Sequence, residues 1–483
     1  MTIADNRTRW YALYTLCAAS LMIVLDMTIV NVALPSIRDD LGFTESSLAW
    51  VVNAYTLTFG GLLLLGGRLG DLYGPRRLFL LGISLFTLAS LVCGLSGSRG
   101  MLIAARAVQG VGGAVASAVS LSLMLMLFTE PGERAKAMGL FGFVASGGGS
   151  IGVVLGGVLT DVISWHWIFL VNLPIGVAVV LLTLKLLPDA PGIARQGGGL
   201  DVGGALTVTA ALMVAVYAIV NGNQDGWTSA STLGRLAVAL ALFASFLIIE
   251  TRVAAPLMPL RLYRLRNLSA ATVVGVLWAG AMFAWFFLSA LYLQLVLGYS
   301  PLQVGLGFLP GNLVMGVLSI AVSAKLVMRY GVRIPLAAGL AFAAVGLALF
   351  ARAPVGGKYV LDVLPGMILL GVGAGIAFNP VLFAAMSEVQ PEESGLASGI
   401  VNTSFMMGGA LGLAVLASVA ASHTSHLEAA GHGTLQSLTG GYHAAFVVGA
   451  LFAIAAAAIG GLLFRTTTAP AHGEMHEPAL AEG

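Results

Sequence analysis

Apolar residues run along this chain in blocks of roughly 20, separated by short clusters of Gly, Pro and charge. A block of that length suits a helix crossing about 30 Å of hydrocarbon at about 1.5 Å per residue. The pattern predicts spans near residues 12–34, 47–66, 78–97, 100–127, 136–160, 166–187, 201–221, 233–250, 268–296, 303–327, 335–352, 361–386, 394–421 and 442–464. Alternating segments of about ten residues, the mark of a membrane barrel, are absent. An all-α integral membrane protein with fourteen transmembrane helices is expected.

The spans repeat. The loop GRLGDLYGPRR, Gly67 to Arg77, is echoed by AKLVMRYGVR, Ala324 to Arg333, with Leu326, Gly331 and Arg333 in the spacing of Leu69, Gly74 and Arg76. Met328 stands where the first copy has Asp71. Gly148, Gly149 and Gly152 are matched in the same way by Gly408, Gly409 and Gly412. The ninth helix therefore corresponds to the first, which divides the chain into a six-helix bundle (1–190), two inserted helices with linkers (191–266), a second six-helix bundle (267–465) and a polar tail (466–483) expected to be disordered and cytoplasmic. Internal symmetry of this kind belongs to secondary transporters, which bind substrate near mid-membrane where the repeats meet.

Composition agrees: 58% of residues are hydrophobic, only 9% are charged, and mean hydropathy is +0.96, whereas soluble domains carry about 25% charged residues. Most Lys and Arg fall in loops at one end of the spans, which by the positive-inside rule places both termini in the cytoplasm. The basic residues form no patch suited to nucleic acid. Cys17 and Cys93 lie in apolar runs and read as packing residues, and the N-terminal run reads as a retained helix rather than a cleaved signal. Arg outnumbers Lys and Ala and Gly abound, as the GC-rich codons of a high-GC bacterium would give; a multi-pass protein of the bacterial cell (inner) membrane is expected.

Two charges lie inside spans. Asp26 sits about 12 Å from the outer end of the first helix and Arg106 about 9 Å from the outer end of the fourth, at about 1.5 Å per residue, so the two meet at similar depth. A charge at a helix centre costs about 2.5 to 3.5 kcal/mol on insertion scales, so such residues pair or move ions. By themselves they fit either a static ion pair or a carboxylate that loads and releases a proton. Likewise, Arg68, Asp71, Arg76 and Arg77 fit either topology signals or a latch at the cytoplasmic end.

The spacing GxLxDxxGxRR resembles motif A of the major facilitator superfamily. The resemblance implies a cytoplasmic gate built on Gly67, Asp71, Gly74, Arg76 and Arg77. RAVQG around Arg106 resembles motif B of that superfamily, and LDMTIVNVALP around Asp26 is similar to the first helix of its 14-helix drug:proton antiporters, the EmrB/QacA type. Together they imply proton coupling through Asp26 and Arg106. GGGSIGVVLGG, with Gly148, Gly152, Gly156 and Gly157, resembles the antiporter motif of helix 5, although Val153 replaces the usual Pro and puts the expected kink in question. WHWIFLVNLPIG (165–176), YLQLVLGYSPLQVGLGFLP (292–310) and SGLASGIVNTSFMMGGALG (394–412) extend the resemblance over nearly the whole chain, with His166 in place of the usual Arg.

Asn31, Tyr55, Gln109, Asn172, Trp285, Phe286, Tyr292, Asn379 and Asn402 are candidates for the substrate cavity, being polar or aromatic within spans. His423, His426 and His432 fall in the expected outer loop, and no metal is assigned to them. A phosphate-binding loop of the form GxxxxGK[ST] is absent, so ATP-driven transport has no site in this chain; the resemblance implies that the proton motive force drives transport, with no cofactor. These readings converge on a monomeric, proton-coupled exporter of lipophilic, often cationic, small molecules, set in membrane lipid. A dedicated exporter of one natural product or lipid, or a non-transporting membrane sensor, stands as the alternative.

Overall fold

The computed structural model describes residues 6–128, 130–188, 201–253, 256–390 and 393–464; the side chain of Asp71 is outside the described set. Among the described residues the chain is helical throughout. The first half contains α1 (Asn6–Leu41), α2 (Glu45–Tyr73), α3 (Pro75–Gly94), α4 (Arg99–Leu127), α5 (Pro131–Val162), and a sixth pass made of α6 (Trp167–Leu170) and α7 (Asn172–Leu186). The inserted pair is α8 (Val202–Asp225) and α9 (Ala230–Arg252). The second half contains α10 (Arg266–Leu291), α11 (Pro301–Leu318) continued by α12 (Ala324–Tyr330), α13 (Arg333–Phe350), α14 (Leu364–Met386), α15 (Ser394–Ala429) and α16 (Thr434–Leu463). Among the described residues thirteen segments are long and apolar enough to cross a membrane, and α5 supplies a further pass.

Local chemistry sets the ends. Ser98, Ser229 and Ser300 cap α4, α9 and α11 by accepting from the N–H three residues on. The sixth pass, expected as one helix, breaks at Val171 because Pro174 has no N–H to give the Leu170 carbonyl. α15 runs two turns beyond the expected end, so His423 and His426 lie on a helix rather than in a loop, with ring centroids 6.5 Å apart. Three π-helical turns, Tyr292–Val296, Ser319–Ser323 and Tyr359–Val363, all in the second half, had no signature in the hydrophobic pattern.

Each half packs as a six-helix bundle. Glycine lets the first and fifth passes of each approach closely: a Cβ at Gly152 of α5 would stand 2.9 Å from the Leu25 carbonyl oxygen of α1, and one at Gly408 of α15 would stand 2.5 Å from Cα of Val276 on α10. The halves meet along α2 with α15 and along α5 with α11, and α8 seats the inserted pair against α2 and α15.

At the end away from the chain termini the halves are closed: Gln294 Nε2 donates to the Val32 carbonyl at 2.9 Å, and Ser300 Oγ to Asp161 Oδ2 at 3.3 Å. Toward the other end α5 and α11 part. No heavy atom lies within 4 Å of where a Cβ would stand at Gly139 or Gly316, and Phe378 and Phe383 are exposed. Among the described residues the cleft between α5 and α11 thus opens toward the end that carries the termini.

Candidate functional site

Asp26 is fully enclosed within the first bundle, on the face of α1 turned toward α3, α4 and α7. Its Oδ2 accepts from Arg106 Nη1 at 2.5 Å, and its Oδ1 accepts from Gln109 Nε2 at 2.7 Å and Asn172 Nδ2 at 2.9 Å. Arg106 is itself 1% exposed and over-determined: Nη1 also donates to Gln109 Oε1 at 2.7 Å, Nε donates to the Val51 carbonyl at 3.0 Å, and the guanidinium lies 4.3 Å from the Tyr55 ring centre. Ser90 Oγ completes the cluster by accepting from Gln109 Nε2 at 2.8 Å. One helical turn separates Arg106 from Gln109, which brings both to the same face of α4. A buried ion pair this well supplied with hydrogen bonds offsets its desolvation, whereas removing one partner costs about 3–5 kcal/mol.

The opposite face of α1 lines the cleft. Thr28, two residues beyond Asp26, borders a cavity of about 220 Å³ together with Gly149, Trp278, Phe286, Asn312, Ser319 and Phe378 among others. The cavity spans both halves, and Asn312 Oδ1 has no hydrogen-bond partner among the described residues. Its walls are mainly aromatic and apolar, with one amide, Asn312, and the hydroxyls of Thr28 and Ser319, a composition suited to lipophilic molecules.

At the base of each half an arginine reaches the end of that half's last helix. Arg76 Nη2 donates to the Leu184 carbonyl of α7 at 2.8 Å, and Arg333 Nε donates to the Phe464 carbonyl just past α16. Gly74 and Gly331 turn the chain into these arginines with φ of 94° and 72°, backbone that favours glycine. The repeat seen in the sequence is thus a repeat of contacts.

The sequence model of the Major Facilitator Superfamily matches residues 16–413. The chain belongs to that superfamily. Its relatives include the puromycin resistance protein of Streptomyces alboniger, 40% identical over 89% of this chain and 85% of the relative. The cephamycin export protein CmcT of Amycolatopsis lactamdurans is 39% identical over 99% and 97%, and the multidrug resistance protein Stp of Mycobacterium tuberculosis 38% identical over 88% and 79%. Among solved structures, the nucleoside transporter NupG superposes with a TM-score of 0.67 at 13% identity, covering 94% of this chain and 100% of its own. A bacterial Spinster homologue in its inward-facing conformation gives 0.66 at 15%, covering 95% and 98%. The protein is accordingly a multi-pass membrane transporter of small molecules, not an enzyme, built as two six-helix bundles with two inserted helices.

Within this major facilitator frame the expected cavity residues separate into groups. Gln109, Asn172 and Tyr55 lie not at the cleft but around Asp26 and Arg106. Asn31 donates to the Thr28 carbonyl of its own helix at 3.2 Å. Trp285 and Tyr292 are buried toward the closed end, where Tyr292 donates to the Pro354 carbonyl at 2.7 Å. Phe286 does line the cavity, stacked on Phe308 at 5.4 Å. Asn379 borders it indirectly, donating to the Ser319 carbonyl at 2.9 Å, and Asn402 lines a smaller neighbouring pocket. Thr28, Trp278, Asn312 and Phe378 escaped the sequence reading. Asn312, an amide two residues after Pro310 in an apolar span, was the one visible signal among them.

The glycines of α5 divide between two neighbours. Gly148, Gly152 and Gly156 face α1, whereas a Cβ at Gly157 would stand 2.6 Å from the Pro301 carbonyl of α11. α5 continues as one helix past Val153, which stands in place of the Pro. Gly67 lies inside α2 with no atom near its missing Cβ, while Gly74 makes the turn that follows.

Proposed function

We propose that this transporter exports lipophilic, often cationic, small molecules in exchange for protons, and that the structure corresponds to the state open to the cytoplasm. The observation that carries the reading is the sealed Asp26–Arg106 pair on one face of α1 with the substrate cavity on the other. A proton arriving on Asp26 cancels its charge and frees Arg106, which retains Gln109 and the Val51 carbonyl. The change in charge loosens or tightens α1 against α3, α4 and α7, and α1 carries it to the cleft wall at Thr28. α5, held to α1 by Gly148, Gly152 and Gly156 and to α11 at Gly157, passes the motion to the other half.

In this reading residues 1–190 and 267–465 are the moving bundles and 191–266 the inserted pair. The termini are cytoplasmic in a bacterial inner membrane, and the working unit is a lipid-embedded monomer that needs no cofactor. The motif A residues Gly67, Asp71, Gly74, Arg76 and Arg77 form the cytoplasmic gate, which is open in this state. The proton motive force supplies the work: each charge crossing 100 mV yields about 2.3 kcal/mol.

The test is efflux of a lipophilic cationic dye from proteoliposomes under an imposed pH gradient, wild type beside Asp26→Asn. Gradient-driven transport by the wild type and its loss in the folded variant are expected. Undiminished coupling in Asp26→Asn would remove Asp26 from the mechanism. A second reading, export of one natural product, is favoured by the names of the puromycin and cephamycin relatives. It predicts a narrow substrate range in the same assay.

A further inference from the structure

An amide carried into an apolar span costs the fold unless it is paired. Most of the amides near the cleft are paired: Gln109 and Asn172 hold Asp26, Asn31 bonds its own helix, and Asn379 reaches the Ser319 carbonyl. Asn312 of α11 is different. It is 3% exposed, its Oδ1 meets no donor, and its amide makes no hydrogen bond among the described residues. An unpaired group of this kind costs about 1–3 kcal/mol, yet it sits on the wall of the central cavity.

The helix period puts it there. At the closed end Gly305 packs against α5, where a Cβ would stand 2.8 Å from the Val153 carbonyl oxygen. Asn312 comes two turns later on the same face of α11, about 10 Å nearer the open end at about 1.5 Å per residue. There α5 and α11 have parted, and α5 lends the cavity Gly149, which has no side chain to meet the amide. Of the amide and hydroxyl side chains at the cavity, Thr28 donates to the Leu25 carbonyl of its own helix at 3.1 Å and Ser319 Oγ lies 3.5 Å from Asn379 Nδ2, which leaves Asn312 uncommitted.

Trp278, Phe286 and Phe378 give the cavity flat apolar walls, and among the described residues no charged side chain borders it. The aromatic faces can hold a cation. With no ion beside it to balance a charge, the group that Asn312 itself bonds is neutral. A half-turn of the Asn312 amide exchanges its oxygen for its NH2, so the same side chain can accept or donate. A carboxamide carries both complements, a carbonyl and an N–H, and pairs with it either way round. We propose that Asn312 determines the specificity of the central cavity, which selects lipophilic molecules carrying a carboxamide. The assignment rests on the export reading in taking this cavity as the substrate site, but recognition itself needs no proton gradient.

The experiment measures equilibrium binding to the full chain in nanodiscs, with no pH gradient, by energy transfer from tryptophan to a pyrene-labelled alkyl carboxamide. The matched probe ends in a methyl group instead, and empty nanodiscs correct for partition into lipid. Wild type should hold the carboxamide about tenfold tighter, the equivalent of roughly 1.4 kcal/mol. Asn312→Leu should bind both probes alike, while the ligand-free protein unfolds at the same or a higher temperature because an unpaired amide has gone. Asn312→Ala, which removes the amide without filling the cavity, should lose the preference too. No preference in the wild type, or one that survives in either variant, would overturn the proposal. So would a lower unfolding temperature in Asn312→Leu with both probes lost together, the mark of a structural amide. If proteoliposomes show no gradient-driven efflux while the preference and its loss persist, the export reading fails and the assignment of Asn312 stands.

Discussion

Gly157 of α5 stands against Pro301 of α11, so close that a Cβ at 157 would lie 2.6 Å from the Pro301 carbonyl oxygen. The contact helps to shut the outer end in the structure described. Gly157→Val should wedge the two helices apart and favour the outward-open state. With a cysteine at Gln294, whose amide reaches Val32 across the same closure, an impermeant maleimide applied outside should react several-fold faster in the Gly157→Val background. Equal rates would show that α5 and α11 do not gate this end.

Two glycines of the repeated motif should respond oppositely to alanine. Gly331 has φ 72° and ψ −173° with empty space around it, so Gly331→Ala meets only backbone strain, about 1–3 kcal/mol, and should lower the unfolding midpoint of the purified protein. Gly67 lies within α2, also in open space, so Gly67→Ala should raise the midpoint through up to about 1 kcal/mol of helix propensity. Thermal unfolding in detergent decides both signs. Gly67→Leu should also fold, yet slow transport by obstructing closure of the cytoplasmic end.

Gln109 bonds both partners of the buried pair, donating to Asp26 and accepting from Arg106. Gln109→Leu leaves both short of a partner and should cost about 1–3 kcal/mol of stability. In an Asp26→Asn background the same change should cost less, and a double-mutant cycle on unfolding free energies measures the difference. Additive losses would place Gln109 outside the network energetically.

Phe286 gives the cavity an aromatic face on which a cation can rest. Phe286→Ala should raise the KM for cationic dyes through loss of about 0.5–2 kcal/mol of cation–π interaction, with a smaller effect on neutral substrates. Transport kinetics with a matched pair of charged and neutral dyes provide the comparison. The same rise in both would assign Phe286 to shape alone.

The fold was legible because hydrocarbon thickness sets span length and scarce charge marks the loops. The Asp26–Arg106 pair was legible for a related reason: two charges inside spans at one depth are too costly to stand apart. The cavity was read less well. Sequence gives the depth of Gln109, Asn172 or Tyr292 within a span, but most helices here are apolar on every side, so little in the pattern tells which way a polar residue faces. Gln109 and Asn172 consequently turned inward to Asp26, and Tyr292 toward the closed end. Trp278 and Phe378, ordinary aromatics in apolar runs, carried no signal that they face the cleft.

Arg76 and Arg333 fasten their halves in the same way, yet the halves are not electrically alike. The second loop has Met328 in place of Asp71, and among the described residues the second half has no buried ion pair to match Asp26 with Arg106. In the proposed cycle, protonation of Asp26 leaves Arg106 as an uncompensated positive charge deep in the first half. The membrane voltage then pulls mainly on that half, so the two bundles rock against each other under a lopsided electrical load.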